Sequence, residues 1–297
     1  MSVFGSVEGE LSDLVRDRQE MRQVRRHFSC GLGSFRSLYR PGAPEGDPES
    51  MTLAYVLQGQ GRLALEPGRS EFGSKEKEAN GDGWSELVPG DVCLLRGKAQ
   101  GGLAFAGEDA LQVVMSVPGE IAALAERIGL PGPSSVVFHI GRRADLVTRA
   151  EKLGRALAGP GGVEREGIVM QAFEIVADIF RLAGSDHKDV GEQASMGEVC
   201  RALARDIQER LSIPELAARF HMSYTAFRRE FARVMHMPPG EYRIRQRIES
   251  IKILMGMRHP IKEAAARFGY PDLQSFSKQF KQMTGLTPRQ YQAEVLA

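Results

Sequence analysis

The last hundred residues repeat one pattern: a short helix, a break of a few residues, and a second helix with aromatic residues along one face. The first copy spans residues 211–235 and the second begins at His259. The buried stripes predicted for the two second helices, at helical spacing, are Phe227, Phe231 and Val234 in the first copy and Leu273, Phe276 and Phe280 in the second. We call these copies the first and second repeat. A pair of helices repeated in this way predicts two helix-turn-helix motifs.

Local signals place the ends of these helices. Ser212 and Glu215 have the spacing of a capping box, and Ser223 is the N-cap candidate of the next helix. In the second repeat, Pro260 suits a first helical turn, and Gly269-Tyr270-Pro271 suits the break between helices. Both repeats therefore have start and stop signals that agree with their apolar periodicity.

A single helix is predicted between the repeats, over residues 240–255. Its apolar positions are Tyr242, Ile244, Ile248, Ile251 and Leu254. Such a connecting helix would fix the spacing of the two repeats, which favours a protein that reads DNA at two successive places.

The segment ARFGYPDLQSFSKQFKQMTGLTPRQY, with RIESIKIL upstream, resembles the DNA-binding domain of the AraC/XylS family of bacterial transcription regulators. The resemblance covers about residues 198–292. It implies that each repeat inserts its second helix into the major groove of promoter DNA, about one DNA turn apart on one face. It also implies activation through contact with RNA polymerase. Two positions depart from the family pattern: His236 stands where glycine is frequent, and Ala232 where lysine is frequent.

The same resemblance assigns the outward positions that would contact DNA. These are Tyr224, Thr225, Arg228 and Arg229 in the first repeat and Leu273, Gln274, Ser275 and Lys278 in the second. Arginine can donate hydrogen bonds to O6 and N7 of guanine, and glutamine can form hydrogen bonds with adenine. Phosphate contacts, which position without reading sequence, are expected from Arg233, Arg247 and Lys281. The alternative for any one of these residues is an ordinary solvated helix face.

Charge divides the chain in the same place. Residues 196–297 carry 17 Lys+Arg against 10 Asp+Glu, a net charge of +7, whereas the whole chain carries +1 and the first 195 residues therefore −6. A basic module favours phosphate binding and fast encounter with DNA. The acidic remainder is expected to sense a small molecule, to dimerise or to contact another protein.

The N-terminal part has strand character, which makes the predicted fold class α+β. Two apolar runs around Gln58-Gly59-Gln60-Gly61 predict a hairpin, residues 69–83 an exposed loop, Pro89-Gly90-Asp91 a turn, and residues 110–117 a further strand. This order resembles the cupin-like antiparallel β barrel often found ahead of an AraC-type module. We expect a cupin-like sensing domain over 1–140, a helical dimerisation and linker region over 141–190, and the DNA-binding domain over 191–297.

A metal enzyme on this barrel lacks its ligands in the sequence. Cupin enzymes need several histidines on the barrel wall, and none lies between residues 28 and 138. We therefore expect no enzyme activity, no metal and no cofactor. An enzyme fused to a DNA-binding module would need a reactive cysteine in a zinc-held setting, which Cys30 and Cys93 do not offer. The residues we expect around an effector pocket are Arg36, Arg40, Tyr55, Trp84, Arg96 and Phe105.

From Pro118 to about Ala183 the periodicity is helical. A short helix is expected through Ile128, followed by a pair of helices that either packs on the barrel or forms the interface of a homodimer. The segment REGIVMQAFEIVADIFRL resembles siderophore-responsive relatives, which would make a ferric siderophore the effector. Residues 184–197 are polar and predict a linker.

Three cysteines without CxxC spacing predict free thiols. The lack of a long apolar run and of a signal pattern predicts a cytoplasmic protein that does not bind membranes. Two interpretations of function stay open: a regulator gated by an effector, and a regulator whose N-terminal part only dimerises or binds a protein partner.

Overall fold

The structure is a computed structural model of the 297-residue chain. It describes residues 29–33, 37–39, 51–65, 84–96, 101–130, 136–158, 165–184, 196–205, 207 and 211–296. The chain divides into two compact units. The first comprises residues 1–140 and 149–187, and the second comprises residues 141–148 and 188–297. The predicted loop at 69–83 and most of the predicted linker at 184–197 lie outside the described residues.

Seven described strands of the first unit form one curled antiparallel sheet. They are β1 (Ser29–Gly33), β2 (Ser37–Tyr39), β3 (Met51–Leu65), β4 (Trp84–Leu87), β5 (Asp91–Arg96), β6 (Gly101–Val117) and β7 (Val137–His139). The main order is β1-β6-β3-β5-β7, with β2 also paired to β6 and β4 to β3. The long strands β3 and β6 pair from end to end, from Met51 opposite Val117 to Leu65 opposite Gly101.

The predicted hairpin at residues 58–61 is wrong, because β3 continues through it. The pairing with β6 shifts register between Val56 and Gln58 and again between Gln58 and Gln60. Gly59 adopts φ +85° there, and a Cβ on it would lie 2.9 Å from the Cα of Ala110. Glycine at this place therefore marks an irregularity in a bent strand where two backbones approach closely, and not a chain reversal.

The predicted turn at Pro89-Gly90-Asp91 is confirmed by the geometry, and its carboxylate is fully buried. Asp91 Oδ2 accepts from the backbone N–H of Val88 at 2.9 Å, and Asp91 Oδ1 lies 2.8 Å from Nδ1 of His139 on β7. The buried carboxylate thus holds the turn and joins β5 to β7.

Of three further described helices, the first lies between β6 and β7 and the other two follow β7. They are α1 (Gly119–Arg127), which starts where predicted after Pro118, α2 (Ala144–Ala158) and α3 (Arg165–Gly184). Within the first unit α1 packs against α3, and Asp178 of α3 pairs with Arg149 of α2 at 2.5 Å. The helix α3 buries Val176 and Phe180 completely. No helix of the described residues is long and apolar enough to cross a membrane.

The second unit is helical. Its described helices are α4 (Met196–Arg205), α5 (Ile213–Arg219), α6 (Tyr224–Met235), α7 (Pro239–Gly256), α8 (Ile261–Arg267), α9 (Leu273–Thr284) and α10 (Pro288–Leu296). The connecting helix α7 thus has the bounds that the sequence predicted, within one residue. Helices α5 and α6 are the two helices of the first repeat, and α8 and α9 are those of the second. Each repeat has its own hydrophobic core.

Candidate nucleic-acid interface

The first repeat begins with the predicted capping box. Ser212 Oγ accepts from the backbone N–H of Glu215 at 3.3 Å, and the carboxylate of Glu215 accepts from the backbone N–H of Ser212 at 2.7 Å. Ser223 caps α6 in the same way by accepting from the N–H of Ala226 at 3.3 Å. These side chains satisfy first-turn amides that would otherwise lack partners, so the sequence itself fixes where each helix starts.

The turns inside the two repeats have the same backbone hydrogen bonds. After α5, the N–H of Met222 donates to the carbonyl of Ala217 at 3.0 Å; after α8, the N–H of Tyr270 donates to that of Ala265 at 3.2 Å. This bond closes a helix in which the residue after the C-cap is left-handed. The left-handed residue is His221 in the first repeat, with φ 54°, and Gly269 in the second, with φ 81°.

The second repeat uses a carboxylate as its cap. Asp272 accepts from the backbone N–H of Ser275 at 2.7 Å and from the hydroxyl of the same residue at 2.9 Å. These bonds hold the pKa of the Asp272 carboxyl below its ordinary value, because they favour the charged form. The sequence predicted that Pro260 lies in the first turn of a helix. In the structure Pro260 is the N-cap residue of α8, one residue before the helix begins.

Aromatic pairs hold α6 and α9 in place from their inner sides. The ring centroids of Phe231 and Tyr242 of the connecting helix are 5.5 Å apart, edge to face. In the second repeat, Tyr270 and Phe276 are 5.1 Å apart in the same geometry. Because one side of each helix is anchored in this way, the opposite side is presented to solvent at a fixed angle.

The outward faces of α6 and α9 carry the residues that the sequence assigned to DNA. The exposed members are Tyr224, Thr225, Arg228, Arg229 and Arg233 on α6 and Leu273, Gln274, Ser275, Lys278 and Lys281 on α9. Tyr224 is 45% exposed and Leu273 is 44% exposed, and both are the first residue of their helix. The prediction that Leu273 belongs to the buried stripe is therefore wrong; Phe276 and Phe280 alone fill that role in α9.

Some of these side chains already have partners within the protein. Arg233 pairs with Glu230 at 2.6 Å one turn earlier, and the hydroxyl of Ser275 is engaged by Asp272. The guanidinium of Arg247 lies 5.7 Å from the ring centroid of Tyr270 and is only partly exposed. Arg228 and Lys278 make no polar side-chain contact that is seen among the described residues, so both are open to a ligand.

The expected effector residues are spread over the sheet. Arg36 and Arg40 lie outside the described residues. Along β3, Arg96 pairs in register with Met51, Phe105 with Gly61, and Trp84 with Ala64. Tyr55 lies between these positions and is buried. The register thus places the expected residues at both ends of β3 and does not bring them together at one end.

Among the described residues, Cys93 and Cys200 are both buried, and neither forms a disulfide bond, as predicted. In the second unit, sequence reasoning did not identify three residues. They are His221, which is left-handed, and Gln246 and Glu249, two polar residues on α7. Aligning the two repeats would have revealed His221 opposite Gly269. Nothing local to the sequence marks Gln246 and Glu249.

Comparison with known proteins fits this geometry. Residues 216–294 match the family description "Helix-turn-helix domain". The chain is 30% identical over 103 residues to the HTH-type transcriptional activator AarP of Providencia stuartii, covering 34% of this chain and 75% of that protein. The chain belongs to the AraC family of transcription regulators.

A second curated relative and two solved structures are also similar to parts or most of this chain. The probable transcriptional regulator LumQ of Photobacterium leiognathi is 28% identical over 108 residues, which is 36% of this chain and only 43% of LumQ. Among solved structures, ToxT from Vibrio cholerae O395 is 12% identical, covering 92% of this chain and 99% of that one, with a TM-score of 0.36. A DNA-binding transcriptional dual regulator from Escherichia coli K-12 is 21% identical, covering 36% and 97%, with a TM-score of 0.31.

Proposed function

We propose that the protein is a sequence-specific transcription activator whose helices α6 and α9 enter successive major grooves on one face of promoter DNA. The observation that supports this most is the matched pair of outward faces on α6 and α9, each backed by buried aromatic residues. Helix-turn-helix proteins use such a face to contact base edges. The basic balance of residues 196–297 adds attraction to phosphates.

The exposed residues suggest different base contacts in the two half-sites. Arg228 and Arg229 give the first repeat two side chains suited to guanine, whereas Gln274 gives the second a partner for adenine. In the same proposal Thr225, Ser275 and Lys278 face bases, and Arg233, Arg247 and Lys281 bind phosphates. The two halves of the operator are therefore expected to differ in sequence.

Tyr224 and Leu273 are exposed large hydrophobic residues at equivalent places, the first position of each recognition helix. An apolar group at the base edges finds its partner in the methyl group of thymine. We therefore expect one thymine in each half-site opposite these residues. Selection of DNA from a random pool should lose the thymine preference of one half-site with Tyr224→Ala and of the other with Leu273→Ala. Unchanged preferences in both variants would contradict this assignment.

For the N-terminal part we propose a cupin-like barrel over 1–140 that binds a small-molecule effector, followed by a helical region over 141–190 that supports a homodimer. Tyr55, Trp84, Phe105 and the arginines 36, 40 and 96 are the proposed effector residues. A ferric siderophore is one effector hypothesis. The regulator would act in the cytoplasm and contact RNA polymerase at the promoter.

A second candidate is a regulator without an effector. It is favoured by the sheet interior, because Ala54, Val56, Leu63 and Leu87 already form a buried cluster with Cys93 and Ala110. A barrel filled with its own side chains leaves little room for a ligand. In that case the N-terminal part would serve dimerisation or a protein partner.

The experiment that tests the function is binding of the purified full chain to its own upstream promoter DNA and to random DNA. Tight and selective binding supports the proposal; equal binding to both DNAs contradicts it. Repeating the assay with a metabolite extract, and with a ferric siderophore alone, separates the two candidates. A retained compound that shifts DNA affinity supports effector gating, and none retained supports the effector-independent regulator.

A further inference from the structure

A short segment far from the repeats in sequence is part of the DNA-binding unit. Residues 141–148, which we call the brace, belong to the second compact unit although the rest of that unit starts at residue 188. The backbone N–H of Arg142 donates to Oε1 of Gln246 at 2.6 Å, and that of Ala144 donates to Oε2 of Glu249 at 2.8 Å. Two side chains of the connecting helix α7 therefore hold the main chain of the brace.

The contact is closely fitted and mostly buried. Gln246 is 5% exposed, and so is Arg142. Gly141 adopts φ +70°, and a Cβ on it would lie 2.9 Å from Nε2 of Gln246. A residue with a Cβ would be strained in this backbone conformation and would crowd the end of the Gln246 side chain. Glu249 is held in turn by Lys252 at 2.7 Å.

The brace also contacts an element beside the first repeat. Two nitrogens of the Arg142 guanidinium lie 3.4 Å from the carbonyl oxygen of Ala204 on α4, whose neighbour Leu203 is in the core of the first repeat. Tyr291 of α10 packs on the core of the second repeat, and Nζ of Lys252 on α7 lies 5.3 Å from the centroid of its ring. Burial raises the pKa of Tyr291 well above its ordinary value, and the carboxylates of Glu249 and Asp145 add to this shift. The brace is therefore held directly by α4 and α7, and Glu249 and Lys252 of α7 link it to Tyr291.

We infer that the brace fixes the relative position of the two recognition helices, with Gln246 and Glu249 as positioning residues for the spacing of the two half-sites. A lone helix such as α7 can bend along its length. A segment tied to its middle and to α4 beside the first repeat limits that bending. This inference rests on the proposed reading of two half-sites.

The test uses the full chain, with Gln246→Ala to remove the acceptor and Gln246→Glu to retain it. The matched control is Glu241→Ala, which removes an exposed pair with Arg245 on the same helix. Each protein is titrated with three kinds of DNA duplex. The first carries both half-sites at the selected spacing, the second carries both half-sites with the spacing changed by one base pair, and the third carries one half-site only.

Gln246→Ala leaves the buried N–H of Arg142 without its partner, so we expect roughly a tenfold loss of affinity for the selected spacing. Affinity for a single half-site should stay within twofold, so that discrimination between spacings shrinks. Gln246→Glu should restore most of the discrimination, and Glu241→Ala should behave as the unaltered protein. An equal loss on every duplex, or no loss on any, would overturn the inference.

Gly141→Ala provides an independent route, since it displaces the brace from Gln246 without changing α7. We expect the same loss of spacing discrimination. Amide hydrogen exchange at Arg142 and Ala144 should speed up in Gln246→Ala and Gly141→Ala, while Phe231 and Phe280 remain protected. If the unaltered chain binds two half-sites no better than one, the proposed function itself fails. If the unaltered chain prefers two half-sites and the variants keep the same spacing preference, only the inference about the brace fails.

Discussion

The two repeats have left-handed residues at equivalent backbone positions, but different residue types occupy these positions. At the turn between the helices, the left-handed residue is His221 in the first repeat and Gly269 in the second. At the C-terminal end of the recognition helix, the left-handed residue is His236 in the first repeat, with φ 53°, and Gly285 in the second, with φ 79°. A left-handed conformation is unfavourable for a residue with a Cβ, so the first repeat carries backbone strain at two places where the second does not.

The outward faces of the two recognition helices also differ, and this difference favours the first repeat. The first recognition helix presents Arg228 and Arg229, whereas the second presents Gln274 and Lys278 at its exposed positions. Charged donors make stronger hydrogen bonds than neutral ones. If these residues contact bases as proposed, we expect the first repeat to combine a strained backbone with the stronger base contacts, and the second to combine a relaxed backbone with weaker ones.

The largest effects are expected from the separate cores. Phe231 and Phe280 are fully buried, each in the core of its own repeat. Replacing either by alanine should cost about 3–5 kcal/mol, because it leaves a cavity. Hydrogen exchange should show α6 opening in Phe231→Ala while α9 stays protected, and the reverse in Phe280→Ala. Simultaneous opening of both helices in either variant would show that the repeats do not fold as separate cores.

The next effect concerns base contacts. Arg228→Ala should cost about 1–3 kcal/mol on the selected operator and relax the guanine preference of the first half-site. Gln274→Ala should cost less, because a neutral amide makes the contact, and should relax the second half-site only. Fluorescence titration of operators with single base changes measures both, with the exposed Arg258→Ala as a control for charge. A loss that is equal on specific and random DNA would make Arg228 a phosphate contact instead.

A smaller effect is expected from the left-handed positions. His236→Gly should stabilise the first repeat by about 1 kcal/mol, because the strain of a left-handed residue with a Cβ is relieved. Gly285→Ala is the reciprocal change in the second repeat. An ideal Cβ at Gly285 meets nothing within 4 Å, so its cost should come from the backbone alone. Thermal unfolding should shift in opposite directions for the two variants; shifts of the same sign would refute the strain interpretation.

The smallest effect is a pH dependence confined to the second repeat. The carboxylate of Asp272 caps α9 with a lowered pKa, whereas Ser223, the cap of α6, does not titrate. The stabilisation from Asp272 is fully present above the ordinary aspartate pKa of about 3.9 and is lost as the pH falls through the lower folded value. Amide exchange at Ser275, corrected for its intrinsic pH dependence, should lose protection there while Ala226 does not. Asp272→Asn, which keeps an acceptor, should remove the difference.

Local signals account for most of what the sequence could predict. Caps such as Ser212 with Glu215, and the aromatic stripes of α6 and α9, are short-range patterns, and they located each helix of the repeats. The error at residues 58–61 has a physical origin, because a glycine-rich stretch suits a hairpin turn and a bent strand equally. Only the close approach of Gly59 to the distant Ala110 decides between them.

The candidate site shows the same limit. The outward residues of α6 and α9 are those that the resemblance to the AraC/XylS family implies, whereas periodicity places Leu273 in the buried stripe. Only the packing of α9 shows that Leu273 is exposed. Gln246 could not be identified, since its partner Arg142 is a hundred residues away in sequence and contributes only its backbone. Contacts of main chain to distant side chains have no signature in residue type.

The central claim, that two recognition helices read one face of DNA, is tested most directly by hydroxyl-radical footprinting of the full chain on its selected operator. The account predicts two protected tracts about 10–10.5 base pairs apart on the same face. Leu273→Ala should weaken one tract and Tyr224→Ala the other. A single tract, or protection without a helical period, would contradict the claim.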